Sequence, residues 1–230
     1  EKAVAVKSLV STPLADAIAA HYGVEMRNVL TGFKWIGDQI AQLEAAGEVE
    51  RFIFGFEESC GYLRGTHARD KDAVVASMLC AEMVCYYTYI GKTVYQRLQE
   101  IYSKYGFVLD KTESIQYSGL NAMKEMNGVV DGLKSLKVES LSGLKVEAVR
   151  DYSSAKRVLA SGEVEVMDIP TSNCVYYELE GGSFVCVRPS GTEPKLKIYY
   201  SIRAKNESLA IAKMEELKVS VAEVLEKAKN

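Results

Sequence analysis

The segment R-P-S-G-T-E-P, from Arg188 to Pro194, carries groups that can bind an anion. A guanidinium such as Arg188 can donate two parallel hydrogen bonds to a phosphate, and the hydroxyls of Ser190 and Thr192 can donate more. Gly191 has no side chain, so backbone N–H groups there can approach an oxyanion closely. The pattern predicts a phosphate-binding turn between two apolar strands. The same residues are also typical of a proline-started hairpin turn in which the arginine has no ligand.

A second polar segment, E-E-S-C-G-Y from Glu57 to Tyr62, follows the apolar run Arg51 to Phe56. Carboxylates at the carboxyl end of a buried strand face a crevice. Ionised Glu57 can accept hydrogen bonds from two neighbouring sugar hydroxyls, and Ser59 can both donate and accept. These residues predict a carbohydrate-binding loop, and the alternative is a solvated acidic turn.

Together, the strings GFEESCGY and RPSGTEPKLKIYY resemble the sugar-binding and phosphate-binding loops of the α-D-phosphohexomutase superfamily, the phosphoglucomutases and phosphomannomutases. Two further segments fit in the same order. Thr31 to Trp35 resembles the T-G-aromatic-K element before the sugar loop, and His67 to Asp72 resembles the basic segment after it. The resemblance spans essentially the whole chain and corresponds to the carboxyl-terminal half of a four-domain enzyme.

The resemblance implies that two parts of the family's machinery lie outside this chain. Family members carry a phosphorylatable serine in a T-A-S-H-N-P-like loop and a magnesium site of the D-G-D-x-D-R type, and neither string occurs here. We therefore expect a fragment whose longer parent uses Mg²⁺ and glucose 1,6-bisphosphate. The missing first and second domains are its expected partners, together with a phosphosugar. The isolated chain is expected to bind no cofactor and to be inactive.

The resemblance also assigns roles. Glu57 and Ser59 would hold hydroxyls near the middle of the sugar ring, while Arg188, Ser190, Gly191 and Thr192 would fix the phosphate that is not reacting. Lys71 would add a cation near ligand oxygens, and the alternative for it is an ion pair within its own charged segment. A hydroxyl and a backbone N–H at the start of a helix would come from Thr31 and Gly32.

Sugar specificity stays open between these family members. The S-C-G-Y string that begins at Ser59 replaces the S-G-H of some relatives and favours a phosphoglucomutase-like pattern over a phosphomannomutase-like one. A fragment of a phosphomannomutase or phosphopentomutase is the alternative. For the chain by itself, a non-catalytic phosphosugar-binding module is the alternative to an enzyme.

Composition restricts the remaining classes. The chain has 230 residues, of which 48% are hydrophobic, and a net charge of −3. A net charge of −3 argues against a large basic surface for nucleic acid, so no nucleic-acid partner is expected. No membrane partner is expected either. The five cysteines are odd in number and lack C-x-x-C spacing, which favours reduced thiols in the core and a cytoplasmic location.

The pattern of elements predicts two domains. Residues 1–107 alternate strand and helix and predict a parallel three-layer α/β/α domain that carries the sugar loop. An apolar helix from Ala73 to Tyr89 is expected to lie mostly in its core, with the tyrosines at 86, 87 and 89 serving packing. Residues 108–230 predict an α+β domain, an antiparallel sheet with helices, that carries the phosphate loop. Its strand Lys195 to Ile202 alternates polar and apolar residues as if one face met solvent. The last helix, from Glu207 to about Lys227, is expected to bury Ala210, Met214, Leu217, Val221 and Val224.

Overall fold

The computed structural model describes residues 2–191 and 193–229. The chain divides into two compact units, Glu1–Gly106 and Phe107–Asn230.

The first unit alternates strands and helices before it ends in two consecutive helices. Strand β1 is parallel to β2 and to β3, as the sequence pattern predicts, and the strand order is β2-β1-β3-β4. The antiparallel strand β4 was not predicted. In chain order the elements are β1 (Val4–Ser8), α1 (Leu14–Tyr22), β2 (Glu25–Val29), α2 (Phe33–Ala45), β3 (Phe52–Glu57), β4 (Gly61–Leu63), α3 (Ala73–Tyr89) and α4 (Val94–Tyr105).

Local sequence explains where these helices begin and end. Helix α1 ends at Gly23, whose φ of 68° is the left-handed conformation that favours glycine. Helix α3 begins at Asp72, whose carboxylate accepts hydrogen bonds from two backbone N–H groups of the first turn. Thr93 and Gln96 form a capping box at the start of α4.

One face of the sheet packs against α2 and forms the core of the first unit. Ile36 and Ile40 of α2 are fully buried there against β1, β3 and β4. The members of this core are Val4, Val6, Val29, Phe33, Ile36, Ile40, Leu43, Phe52 and Leu63.

The expectation that α3 lies in the core is wrong. No residue of α3 is buried, and Tyr86 and Tyr89 are 58% and 89% exposed. Cys80 and Cys85 are exposed as well, so the prediction of core thiols holds only for Cys174 and Cys186. Apolar composition indicates that a helix should be covered, but it does not supply the element that covers it.

The second unit is an antiparallel sheet with helices. The strand order is β5-β12-β11-β10-β7-β8-β9, and β6 pairs with β7. Strands β6 and β8 were not predicted, because both are short and β8, with two charged residues followed by two apolar ones, has no alternating pattern. In chain order the elements are β5 (Phe107–Gln116), α5 (Ala122–Ser135), β6 (Ser140–Leu141), β7 (Leu144–Asp151), β8 (Lys156–Leu159), β9 (Val164–Val166), β10 (Val175–Leu179), β11 (Ser183–Pro189), β12 (Lys195–Ala204) and α6 (Glu207–Lys227).

The core of this unit lies between the sheet and helices α5 and α6. Helix α6 buries Leu225, while the predicted Val224 is only half-buried. Strand β12 was expected to expose one face to solvent, and it does not. Tyr199 and Ser201 on that face are 2% and 0% exposed. Its pairing with β5 on one side and β11 on the other makes it an interior strand.

Candidate functional site

The sugar-loop segment is a tight hairpin between β3 and β4. Glu57 pairs with Gly61 across it, so Glu58, Ser59 and Cys60 form the turn. Cys60 has a φ of 61°, the left-handed conformation that often closes such three-residue connections. Ser59 and Glu58 are exposed at the tip, whereas Glu57 is only 6% exposed.

The carboxylate of Glu57 holds the start of α2. Its Oε1 accepts a hydrogen bond from the backbone N–H of Gly32 at 2.6 Å. The amino end of a helix favours negative charge, which gives this contact an electrostatic reason. The structure therefore brings Glu57 next to Thr31 and Gly32, and the N–H that the resemblance assigns to a ligand donates to a protein carboxylate. Thr31 itself is half-buried.

A buried polar cluster at the carboxyl end of β1 supports the same hairpin. Ser8 is 0% exposed and its Oγ donates to Oε2 of Glu58 at 2.8 Å. Lys7, 3% exposed, forms an ion pair with Asp16 of α1 at 3.1 Å and donates to the carbonyl oxygen of Ser11. This cluster was not predicted from the sequence. The signal was present, because Lys7 and Ser8 end an apolar strand adjacent to the one that carries Glu57.

Lys71 lies in the charged loop after β4. Its Nζ donates to Oδ1 of Asp70 at 2.6 Å and lies 5.1 Å from the ring centroid of Phe33. The hydrogen bond from Lys71 holds the pKa of Asp70 below its ordinary value. The ion pair considered as the alternative role of Lys71 is thus present. Its ligand role stays a prediction.

The phosphate-loop segment connects β11 to β12. The backbone N–H of Ser190 donates to the carbonyl oxygen of Lys195 at 2.7 Å, which closes the connection. Gly191 is exposed, and a Cβ built on it would meet nothing within 4 Å. Apart from its chain neighbours, no described residue therefore lies over Gly191. Thr192, the fourth predicted phosphate ligand, lies outside the described residues.

Arg188 is the half-buried cation of this turn. Its Nη2 lies 3.4 Å from the hydroxyl of Tyr199, and its buried Nε has no hydrogen-bond partner among the residues that the structure describes. Within residues 2–191 and 193–229, no carboxylate forms an ion pair with it. Burial opposes the charge, but the Tyr199 hydroxyl and the thiols of Cys174 and Cys186 outweigh it, so its pKa lies above the ordinary value.

Two other arginines on the same sheet show the contrast. Arg150 and Arg157 both donate to the carboxylate of Glu178, at 2.5 and 2.7 Å. A half-buried guanidinium with an unused donor is costly unless an anion reaches it. Arg188 therefore has the chemistry of an oxyanion receptor.

The part of the chain that the structure describes does not fit a magnesium site. No group of three or more His, Cys, Asp or Glu side chains there is arranged to hold a metal ion.

In the same described residues no single helix meets the length and apolarity of a membrane span. Helices α3 and α4 meet them only as a pair bent by 89°.

Comparisons with known proteins agree with this architecture. Residues 1–105 match the family model described as phosphoglucomutase/phosphomannomutase, alpha/beta/alpha domain III, and residues 125–224 match that family's C-terminal domain. A phosphoglucomutase of Staphylococcus haemolyticus is 35% identical over 204 residues, which cover 88% of this chain and 36% of that protein. A Staphylococcus aureus phosphoglucomutase is 36% identical over 202 residues, again 36% of its length. The chain thus spans little more than a third of these relatives.

Solved structures show the same fold. The open form of parafusin, a phosphoglucomutase from Paramecium, superposes on this chain with a TM-score of 0.63 at 18% identity. The match covers 97% of this chain and 38% of the parafusin chain. A phosphoglucomutase/phosphomannomutase family protein from Burkholderia thailandensis gives a TM-score of 0.57 at 13% identity. That match covers 99% of this chain and 38% of the Burkholderia chain. From both matched domain models and the curated relatives, the chain belongs to the phosphoglucomutase/phosphomannomutase family and corresponds to its domain III and C-terminal domain.

Proposed function

We propose that this chain is the sugar- and phosphate-binding half of a phosphoglucomutase-like enzyme that interconverts hexose 1-phosphate and hexose 6-phosphate. In this proposal the chain has two domains. Residues 1–107 bind the sugar, and residues 108–230 bind the phosphate. The observation that carries it is Arg188, a half-buried guanidinium whose Nε has no hydrogen-bond partner among the described residues, next to the exposed Gly191. A phosphate monoester dianion matches that combination of charge and donors.

The contribution of this chain to the reaction is positioning. In the proposed parent, a serine phosphate outside this chain exchanges its phosphoryl group with the sugar, through glucose 1,6-bisphosphate and with Mg²⁺. Arg188, Ser190, Gly191 and Thr192 hold the phosphate that is not reacting. Holding a substrate in a reactive geometry is a main protein contribution to phosphoryl transfer.

The sugar would be held by groups of the first unit. Ser59, exposed at the tip of the hairpin, supplies a hydroxyl, and Glu57 supplies a carboxylate fixed by Gly32. Hydrogen bonds to hydroxyls in the middle of the ring serve both orientations of a hexose phosphate, which a mutase has to bind in turn. Lys71 and Thr31 complete the proposed set. Lys71 would exchange its contact with Asp70 for a ligand oxygen.

The isolated chain should bind phosphosugars without turning them over, because neither a serine-phosphate loop nor a metal site occurs in its sequence. A cytoplasmic location belongs to the same proposal, and the five free cysteines are in keeping with it.

The test is an NMR titration of the chain with glucose 1-phosphate, mannose 1-phosphate and inorganic phosphate. We expect the amides of Ser190 and Gly191 to shift with all three, and those of Glu57 to Gly61 to shift with the preferred sugar phosphate. Arg188→Gln should abolish the response of the phosphate turn. Arg157→Gln is the matched control, because that guanidinium is already occupied by Glu178 and Glu165. An unchanged phosphate response in Arg188→Gln would refute the assignment.

A further inference from the structure

The second unit contains a cavity of about 480 Å³ at one edge of β7. The start of β7 pairs with β6 on that edge and its end pairs with β8, while β10 pairs along the other edge. Where the partner changes, the backbone N–H of Val146 donates to the carbonyl oxygen of Glu139, and the carbonyl oxygen of Glu147 accepts from the N–H of Ala160. The cavity lies between residues 136–139 and β8, and both segments line it.

The wall of this cavity is aliphatic. Val175 is 0% exposed and Val158 is 38% exposed, so the wall runs from the core of the unit to its surface. Among the described residues no aromatic side chain lines the cavity. A hydrocarbon chain gains by leaving water against such a wall, whereas a nucleobase finds no ring on which to stack. The apolar side chains of the wall include Leu136, Val138, Val149, Val158, Leu159 and Val175.

The rim of the cavity carries more positive than negative charge. Both of its carboxylates already have partners: Glu139 pairs with Lys137 at 2.7 Å, and Asp151 accepts hydrogen bonds from the hydroxyls of Ser153 and Ser154. The charged residues that line the cavity are Lys134, Lys137, Lys145, Lys156, Glu139 and Asp151.

Two of the rim lysines have a charge that no carboxylate of the described chain neutralises. Lys134 pairs with Asp131 and Lys137 pairs with Glu139. Lys145 and Lys156 are exposed, and neither forms an ion pair within residues 2–191 and 193–229. A ligand with an aliphatic body and a negative head group therefore matches both the wall and the rim.

We propose that this cavity binds a medium-chain aliphatic carboxylate, with its hydrocarbon chain along the aliphatic wall and its head group among the rim lysines. A volume of about 480 Å³ suits a small organic ligand. Burial of the chain provides most of the affinity, since an ion pair with an exposed lysine contributes little. The surplus of lysines selects the sign of the head group.

The site is separate from the phosphate turn. That turn connects β11 to β12, and β10 lies between β11 and β7 in the sheet. The inference therefore does not depend on the proposed function.

The experiment is an NMR titration of the chain with hexanoate, octanoate and decanoate at constant ionic strength. We expect the amides of residues 136–139 and of β8 to shift, and those of Ser190 and Gly191 to stay in place. The affinity should rise by roughly fourfold for each added methylene, the factor expected when a methylene leaves water. Decyltrimethylammonium, which has the same chain with a positive head group, should bind more weakly than decanoate.

Substitutions at the mouth of the cavity test its location. Val158→Glu should weaken decanoate binding by about tenfold or more, because a carboxylate there repels the head group and adds charge to an apolar wall. Ile115→Glu on β5 is the matched control, since Ile115 is also an apolar strand residue, 40% exposed, and does not line the cavity.

A second variant tests the head group without changing the wall. Replacing both Lys145 and Lys156 by glutamine should weaken decanoate binding by about fivefold. Lys124→Gln is its control, because Lys124 is an exposed lysine of α5 that does not line the cavity. Dispersed amide spectra of all variants show that they remain folded.

Four outcomes would overturn the proposal. The first is an affinity that does not change with chain length, and the second is equal binding of decyltrimethylammonium. The third is decanoate binding that Val158→Glu leaves unchanged. The fourth is a nucleotide such as ADP that shifts the same amides more strongly than decanoate does.

Discussion

Replacing Gly132 by alanine should destabilise the unit that carries the phosphate turn. Gly132 lies in α5 where that helix meets the end of α6, and an added Cβ would lie 2.0 Å from the carbonyl oxygen of Ala228. Ordinary contact begins near 3.4 Å, so the two backbones would have to separate by roughly 1.4 Å. Because backbone cannot rotate away as a side chain can, we take a cost of about 3 kcal/mol, at the upper end of overpacking.

Helix propensity offsets part of this cost. Alanine is favoured over glycine inside a helix by about 1 kcal/mol, so the net loss for Gly132→Ala is about 2 kcal/mol. Gly128 in the same helix is the matched control, because a Cβ there would meet nothing within 4 Å. Gly128→Ala should stabilise the unit by about 1 kcal/mol. For a domain of this size the melting temperature should fall by roughly 8 °C in the first variant and rise by roughly 4 °C in the second.

The assay is urea and thermal unfolding followed by the amide resonances of the second unit. Fluorescence of Trp35, the only tryptophan of the chain, reports the first unit and serves as an internal reference. If both variants change stability in the same direction by a similar amount, the close approach of α5 to α6 does not exist as described and the reasoning fails.

Three further outcomes are expected from the same measurements. Glu57→Ala should destabilise the first unit by about 1–3 kcal/mol, because the N–H of Gly32 loses its acceptor. Glu57→Gln keeps an oxygen there and should cost less. Equal losses of unfolding free energy in the two variants, measured in urea, would contradict this. Burial opposes ionisation of Glu178, but hydrogen bonds from Arg157 and Arg150 outweigh it and lower its pKa below 4.5. The stability it contributes is therefore full above about pH 4.5 and lost as pH falls through the lower pKa, so Glu178→Gln should flatten the acid limb of a stability–pH profile. Asn206→Ala removes the side chain that caps α6 at Leu209 and should cost about 1 kcal/mol in denaturant unfolding, with no loss expected from Lys205→Ala beside it.

Local sequence was sufficient where the deciding interactions are local. Asp72, the Thr93–Gln96 capping box and Gly23 determine helix ends through bonds within a few residues, and each lies where its residue type predicts. The alternation of β12 identified a strand correctly. It did not predict that Tyr199 and Ser201 would be buried, since that depends on what lies over the second face of the sheet.

By itself, the sequence determined most of the elements in both units, though not β4, β6 or β8, together with the two polar turns and the family to which they belong. Turn residues, hydrophobic periods and glycine positions act over short stretches of chain, so their consequences can be derived from a string of letters. Only the tertiary structure decided that Glu57 accepts a hydrogen bond from Gly32 and that Ser8 donates one to Glu58. It also decided that, within the described part of the chain, Arg188 keeps an unused donor and no residue of α3 is buried. Each of these depends on which distant segments come together, because burial and hydrogen-bond partnership are properties of contacts made across the fold.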